Sequence, residues 1–597
     1  MTAIVVLGPS ALPLARRLRD ALPGSAIHGL RRRIAEADFP FDDAAAHIGA
    51  LFASGTPVVG LCAAGILIRA VAPLLRDKRA EPPVVAVAED GSSVVPLLGG
   101  HRGANALARR LAEAIGGHAA VTTAGDVALG IALDEPPPGW RIADPAQVKP
   151  VAAALLAGEP VALAVEASDA AWLCAADIRF ASAGRVAIRV TDRRPAAEDG
   201  ALVFHPPVLA LGVGCERGCD PAELASLVEE TLDQADLADG AVALVASLDL
   251  KLDEAAVHAL AARLDVPARF FTAAELMRET SRLATPSETV FRETGCWGVA
   301  EGAALAAAGP EAALVVAKRK SARATCAVAR SPAAIDPELV GRTRGTLAVV
   351  GIGPGDPSWR TPEASAALAG ATDLVGYRLY LDLVGPLAAG KTLHDTGLGA
   401  EEARARHALD LAAEGKRVAL VSSGDPGIYA LATLVYELLD REKRADWRRV
   451  AVTVCPGISA LQAAAARVGA PLGHDFCAIS LSDLLTPWPA IEKRLRAAAE
   501  ADFVVALYNP RSERRTGQLD TARRILLEHR PGSTPVVLAR NLGRSAEQVS
   551  LTTLAELDGS AVDMLTLVLV GSSATRRVDG VANRLYTPRG YGTARQK

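Results

Sequence analysis

Aromatic side chains are scarce, at 4% of 597 residues, and no strip interleaves them with basic residues. That excludes the stacking platforms that hold single-stranded nucleic acid. A large charge of either sign is missing too. The formal net charge of −4 gives no global pull toward nucleic acid or an anionic membrane. No run of about 18 apolar residues occurs, so no membrane span is expected. The N-terminal stretch Met1-Thr-Ala-Ile-Val-Val-Leu-Gly-Pro9 has no basic leader and soon reaches a turn. It reads as a first strand rather than a signal peptide. Cysteine is thin and scattered: eight residues, at 62, 174, 215, 219, 296, 326, 455 and 477, never as Cys-x-x-Cys. Reduced thiols and a cytoplasmic location follow. Cys215 and Cys219 are close in sequence, but two thiols make a poor metal site, so no metal is expected.

What is present in quantity is core material. Half the residues are apolar and 22% are charged, enough for several α/β domains. Residues 1–128 alternate short apolar strands (Ile4–Leu7, Pro57–Cys62, Val84–Val87, Ala119–Val121) with helical stretches, predicting a small three-layer module. Within it, Gly99-Gly-His-Arg-Gly-Ala-Asn105 opens onto a helix carrying Leu107, Leu111 and Ile115. Such a loop presents backbone N–H groups to an anion, and His101 either transfers protons there or pins the loop. Pro136-Pro-Pro-Gly139 marks a break, and 129–205 form a bridging region.

The α/β rhythm restarts over 206–330. Asp220, Pro221 and Glu223 predict a helix start with a capping box. Lys251, Asp253, Glu254 and Glu301 fall near strand ends, where sites form in open sheets. Polar residues and two prolines make 331–345 a linker. From 346 to 590 strands and helices alternate again. Leu347-Ala-Val-Val-Gly-Ile-Gly-Pro-Gly-Asp-Pro357 is a buried strand closed by a glycine-rich turn. A dinucleotide fingerprint would need glycine at 356, where the chain has Asp. A phosphate loop fails as well, since no Gly-Lys-Ser/Thr follows. Two companion loops also follow strands: Ser422-Ser-Gly-Asp-Pro-Gly-Ile-Tyr429 and Cys455-Pro-Gly-Ile-Ser-Ala460.

Taken together with Asp373–Tyr380, Leu507–Ser512 and Ala539–Arg544, these loops resemble the tetrapyrrole methyltransferase family, in particular its precorrin-3B C(17)-methyltransferase branch. The resemblance implies a two-subdomain fold with S-adenosyl-L-methionine in the cleft. It implies donor contacts at Pro354, Ser423, Gly424, Asp425, Ile428, Tyr429, Ser459, Ala460, Asn509 and Gly543. Arg378, Arg511, Arg514 and Arg540 are candidates for the carboxylates of a tetrapyrrole substrate, with solvated surface charge as the alternative for each. The family's habit implies a homodimer.

The front half is similar to cobalt-precorrin-5A hydrolase. The likeness lies in Leu98–Asn105, Thr122–Asp126, Gly212–Gly218, Ser247–Glu254, Gly298–Gly302 and Val315–Lys320. It implies opening of a corrinoid lactone with loss of acetaldehyde. His101 and Glu254 are the candidates to activate water and Lys251 to stabilise the oxyanion. The whole reads as a bifunctional enzyme of cobalamin biosynthesis. Two alternatives stay open: a front half that only binds corrinoid, and a methylase for another tetrapyrrole.

Overall fold

The computed structural model describes residues 2–590, except 23, 35, 78–80, 123–129, 175–177, 179, 196–199, 389, 396, 398 and 514 and the side chains of His101 and Pro386. The chain divides into two compact units, Met1–Gly345 with Arg449–Ala451, and Thr346–Arg448 with Val452–Lys597.

The first unit opens with strands β1 (Ala3–Val6), β2 (Ala26–Leu30), β3 (Phe39–Phe41), β4 (Val58–Leu61), β5 (Val84–Val87), β6 (Ser93–Leu98) and β7 (His118–Ala119) in one sheet ordered β3-β2-β1-β4-β5-β6-β7. Alternate residues of β1 feed opposite faces. Ile4 and Val6 pack with Leu18 and Leu111, whereas Val5 packs with Ile48 and Leu67. Helices therefore cover both faces, and the module has three layers. β2 was not legible because His28 and Gly29 interrupt its apolar run. His28 is nonetheless buried, stacked on Phe39, with its Nδ1 2.8 Å from Nε2 of His47.

Burial and the neighbouring His47 push His28 down to about 3, and burial also lowers His47. An unfolded histidine binds its proton near 6.5. The unfolded state therefore takes up protons first, and this contribution to stability is complete above about 6.5 and is lost as pH falls toward 3. Thermal melts of the full chain between pH 7.5 and 4.5 are expected to show a fall in midpoint that His47→Gln reduces.

The bridging region forms a small sheet, β8 (Arg141–Ile142), β9 (Val161–Val165), β10 (Val186–Val190) and β11 (Leu202–His205), ordered β8-β11-β10-β9. Next come β12 (Leu209–Cys215), β13 (Val242–Leu248), β14 (Ala268–Phe271), β15 (Ala313–Lys320) and β16 (Ala324–Arg330), ordered β14-β13-β12-β16-β15. Helices Pro221–Gln234 and Ala255–Leu264 pack on one face and Val299–Ala308 on the other. The latter helix, rich in alanine, lies so close to β12 that a Cβ on Gly212 would sit 1.9 Å from the Ala300 carbonyl oxygen. Gly212→Ala must push helix and sheet apart. It is expected to cost about 1–3 kcal/mol or more, read as a lower denaturant midpoint.

Two expectations need correction here. Asp220 does cap its helix, accepting from the Ala222 N–H, but there is no capping box. Glu223 turns away to accept from Ser321 Oγ and the Arg323 N–H. Nor is 331–345 a free spacer. Ile335 is buried, and Arg342 exchanges backbone hydrogen bonds with Phe270, adding to the edge of β14.

The second unit has two sheets that bear on the site. β17 (Thr346–Gly351), β18 (Asp373–Gly376), β19 (Thr392–Asp395), β20 (Arg417–Ser422) and β21 (Ala451–Cys455) are ordered β19-β18-β20-β17-β21. After the short β22 (Gly469–Ala470) come β23 (Phe476–Ser480), β24 (Val504–Tyr508), β25 (Pro535–Arg540), β26 (Gln548–Thr553) and β27 (Thr566–Val570), ordered β23-β24-β27-β25-β26. The three glycine loops leave the carboxyl ends of β17, β20 and β21, where open parallel sheets bind ligands. Among the described residues no helix is long and apolar enough to cross a membrane.

Candidate active sites

In the second unit the three loops meet backbone to backbone. A Cβ on Gly351 would lie 2.6 Å from the Gly424 oxygen, and one on Gly457 2.1 Å from that same oxygen. Gly353 and Gly424 exchange backbone hydrogen bonds of 3.2 and 2.8 Å. Asp425 fastens the junction: Oδ1 accepts from the Gly427 N–H at 2.8 Å and Oδ2 from the Gly457 N–H at 3.1 Å. Gly424 itself, at φ +70, has no heavy atom closer than 4.0 Å to its missing Cβ. It offers an open backbone surface to a cavity of about 260 Å³.

That cavity lies between the two sheets of the unit. The first subdomain contributes Pro354, Tyr380, Arg404 and the 422–431 loop. The second contributes Tyr508, Asn509, Arg544 and the apolar Leu542, Leu565 and Leu567. Three non-glycine residues on its wall hold positive φ: Tyr429 (51), Asn509 (49) and Asn541 (52). Asparagine tolerates this, but for tyrosine it stores backbone strain of about 1–3 kcal/mol, which collects at functional sites. The Tyr429 hydroxyl donates to the Ala478 carbonyl (2.9 Å), and its ring packs 5.3 Å from that of Tyr508. Arg544 ties the subdomains together, Nε donating to the Pro354 carbonyl (2.8 Å) and Nη2 to Ser423 Oγ (2.9 Å). Burial lowers its pKa, and burial pushes the nearby Tyr380 phenol up, against the pull of Arg544 and Arg404.

In the first unit the parallel neighbours β12 and β13 end side by side, so their following loops converge. Glu254 precedes helix Ala255–Leu264 and is 3% exposed. Its Oε1 accepts from the Gly218 N–H at 3.1 Å. Its Oε2 is buried without a hydrogen-bond partner, 3.6 Å from Lys251 Nζ and 3.8 Å from Arg217 Nη1. A carboxylate oxygen flanked by two cations but lacking a donor is where a bound water would complete the set. Burial pushes the adjacent Cys215 thiol up to about 11, so it stays protonated and is a poor nucleophile.

Residues 346–558 match the family of Tetrapyrrole (Corrin/Porphyrin) Methylases. Over 254 residues the chain is 47% identical to a precorrin-3B C(17)-methyltransferase from a Sinorhizobium species, covering 42% of this chain and 99% of that protein. This chain belongs to the tetrapyrrole methylase family. A probable cobalt-factor III C(17)-methyltransferase of Salmonella typhimurium is 48% identical over 245 residues, covering 41% of this chain and 99% of that protein. Cobalamin biosynthesis protein CobIJ of Mycobacterium tuberculosis is 49% identical over 256 residues, covering 42% of this chain and 49% of that protein. The chain thus spans about half the length of that relative. Ahead of the methylase, residues 46–126, 137–206 and 209–329 match the Cobalamin synthesis G N-terminal, Cobalamin biosynthesis central and Cobalamin synthesis G C-terminus families.

The methylase cavity gathers Pro354, Ser423, Gly424, Asp425, Ile428, Tyr429, Ser459, Ala460 and Asn509 on one wall or another. Gly543 lies in an adjoining cleft with Gly355 and Asp356, its N–H donating to Glu547 (2.6 Å). Ser459 has a second task, as N-cap of helix Ala460–Val468 in a capping box with Gln462. Three of the nominated arginines, Arg378, Arg511 and Arg540, are elsewhere. Arg378 pairs with Asp382 and Arg540 with Asp563, and Arg511 donates to the Gly559 carbonyl. None lines the cavity, and Arg514 is outside the described residues. Among the described residues the arginines that do line it are Arg404 and Arg544. Arg544 ends a motif already singled out, whereas Arg404 carries no local sequence signal.

In the front unit the structure brings Lys251 and Glu254 together and adds Arg217. Glu301 is not part of this group. Its carboxylate accepts from the N–H groups of Ala284, Thr285 and Lys318 and from the Thr285 hydroxyl, a fully bonded structural pin. His101 stands in the turn Gly100–Arg102, and its side chain lies outside the described residues.

Proposed function

We propose that this chain is a bifunctional enzyme of cobalamin biosynthesis. The methylase unit methylates C(17) of precorrin-3B, or of cobalt-factor III, with contraction of the ring. The front unit opens the lactone of a precorrin-5A-type corrinoid and releases acetaldehyde. The observation that carries the methylase reading is the cavity itself, where Gly424 leaves backbone open and Asp425 holds two loops in register.

The residues present suit S-adenosyl-L-methionine. The open Gly424 and the apolar Ile428, Ala460 and Leu542 accommodate a flat purine, while Asp425 and Asn509 offer polar contacts. When bound, that donor supplies an electrophilic methyl group. The protein's share is alignment, which in methyl transfer outweighs any strong base. Tyr429 of the first subdomain and Tyr508 of the second pack together and line the cavity from both sides.

In the front unit Glu254 Oε2 takes a proton from the attacking water, and Lys251 Nζ stabilises the oxyanion as the lactone opens. His101 is the second candidate for the proton. A homodimer follows the family's habit.

Two assays on the full chain test these readings. Calorimetry is expected to give saturable binding of S-adenosylhomocysteine at one site per chain. A precorrin-5A-type lactone should yield acetaldehyde, measured by an alcohol dehydrogenase couple. Absence of either product or binding removes the corresponding half of the proposal.

A further inference from the structure

The methylase cavity contains one guanidinium, that of Arg544, and one buried hydroxyl, that of Ser422, whose bonding is incomplete among the described residues. Arg544 spends two donors on neutral acceptors, the Pro354 carbonyl and the Ser423 hydroxyl. Among the described residues no acidic side chain lies within ion-pairing distance of it. A half-buried guanidinium without a counter-ion is costly unless a ligand provides one. Ser422, at the end of β20, is 3% exposed, and its Oγ has no hydrogen-bond partner although the residue lines the cavity. Buried hydroxyls are rarely left so, and each such case asks for a missing partner. Arg404, 4% exposed, lines the same cavity, as does Tyr380, whose raised phenol keeps its proton to donate. The acids on this wall are otherwise placed: Asp425 is engaged by two N–H groups, and Glu401 is exposed.

We infer that Ser422, Tyr380, Arg404 and Arg544 form a carboxylate-binding subsite at the polar end of the methylase cavity. The apolar Leu542, Leu565 and Leu567 leave the rest of the cavity to uncharged parts of a ligand. Planar guanidinium donors flanked by hydroxyls match a carboxylate in geometry and charge. The subsite rests on the methyl-donor reading of this cavity. Two carboxylates could reach it, that of the donor's amino acid or one from a tetrapyrrole side chain.

The test uses the full chain as wild type, Arg544→Gln and Ser422→Ala, the second variant being conservative enough to survive a folding defect in the first. Three dissociation constants are measured: S-adenosylhomocysteine, 5′-methylthioadenosine (the same nucleoside thioether without the amino-acid carboxylate) and uroporphyrin I, an octacarboxylate. Loss of about tenfold in affinity for S-adenosylhomocysteine, with methylthioadenosine unchanged, assigns the subsite to the donor; the size is that of a hydrogen bond to a charged group. A similar loss for uroporphyrin alone assigns it to the tetrapyrrole. If both carboxylate ligands bind the variants as they bind wild type, or if methylthioadenosine weakens in step with S-adenosylhomocysteine, there is no such subsite. If neither nucleoside binds the wild type, it is the donor reading itself that fails.

Discussion

Gly457→Ala is expected to reduce methyl transfer by on the order of a hundredfold, the scale set by misplacing reacting groups by about 1 Å. The new Cβ would lie 2.1 Å from the Gly424 carbonyl oxygen and 2.8 Å from that of Gly351. Both obstacles are backbone, so no side chain can swing aside, and the loops from β17, β20 and β21 must separate. That also breaks the Gly457 N–H bond to Asp425. Overpacking of this kind costs about 1–3 kcal/mol, so the unit is expected to remain folded with a lowered thermal midpoint. Gly370→Ala is the matched control, since no heavy atom lies within 4 Å of its missing Cβ. A Gly457→Ala enzyme with ordinary turnover and ordinary S-adenosylhomocysteine affinity would show that the junction does not shape the site.

Glu254→Gln should lower lactone opening by about 10²–10⁴-fold, the range for a lost general base, while methyl transfer continues at the wild-type rate. The amide keeps an oxygen for the Gly218 N–H, which is why this variant isolates chemistry from folding. Glu254→Ala removes the buried carboxylate beside Lys251 and Arg217 altogether. It is expected to add a stability loss of about 1–3 kcal/mol, less than for a fully buried pair because Arg217 is exposed and keeps Asp253 as a partner. Lys251→Met should depress turnover with little change in affinity if Lys251 acts on the oxyanion. Acetaldehyde release by Glu254→Gln within about threefold of wild type would contradict the role given to this carboxylate.

How far these sites could be read from sequence depended on the range of the signal. Loops whose function is written in consecutive residues, such as Ser422–Tyr429, were legible as ligand loops because glycine, proline and aspartate follow an apolar strand. Their inner logic was not. Gly351 and Gly457 serve loop-to-loop packing, and only Gly424 faces open space. Pairings across many residues, such as Arg544 with Pro354 and Ser423, depend on how the subdomains fold together. The same distance effect misdirected the choice of arginines, since exposed Arg378 and buried Arg404 look alike in sequence. Apolar runs such as Val84–Val87 and Leu347–Val350 were read as strands, while β2, β14 and β26 were missed because His28, Arg269 and the Ser/Thr content of 548–553 dilute their patterns, and β16 was missed despite its small apolar residues. Glu223 shows the limit of local rules: it has the right spacing for a capping box, but Ser321 and Arg323 compete for it successfully.

The most direct measurement supplies the purified full chain with precorrin-3B, and in parallel with cobalt-factor III, together with S-adenosyl-L-methionine carrying a ¹³C methyl group, and follows the product by NMR and mass spectrometry. A single new labelled methyl on C(17) of a ring-contracted macrocycle, formed from one of the two substrates, is the predicted result. Recovery of both tetrapyrroles unlabelled and uncontracted, from a chain that binds S-adenosylhomocysteine, would contradict it.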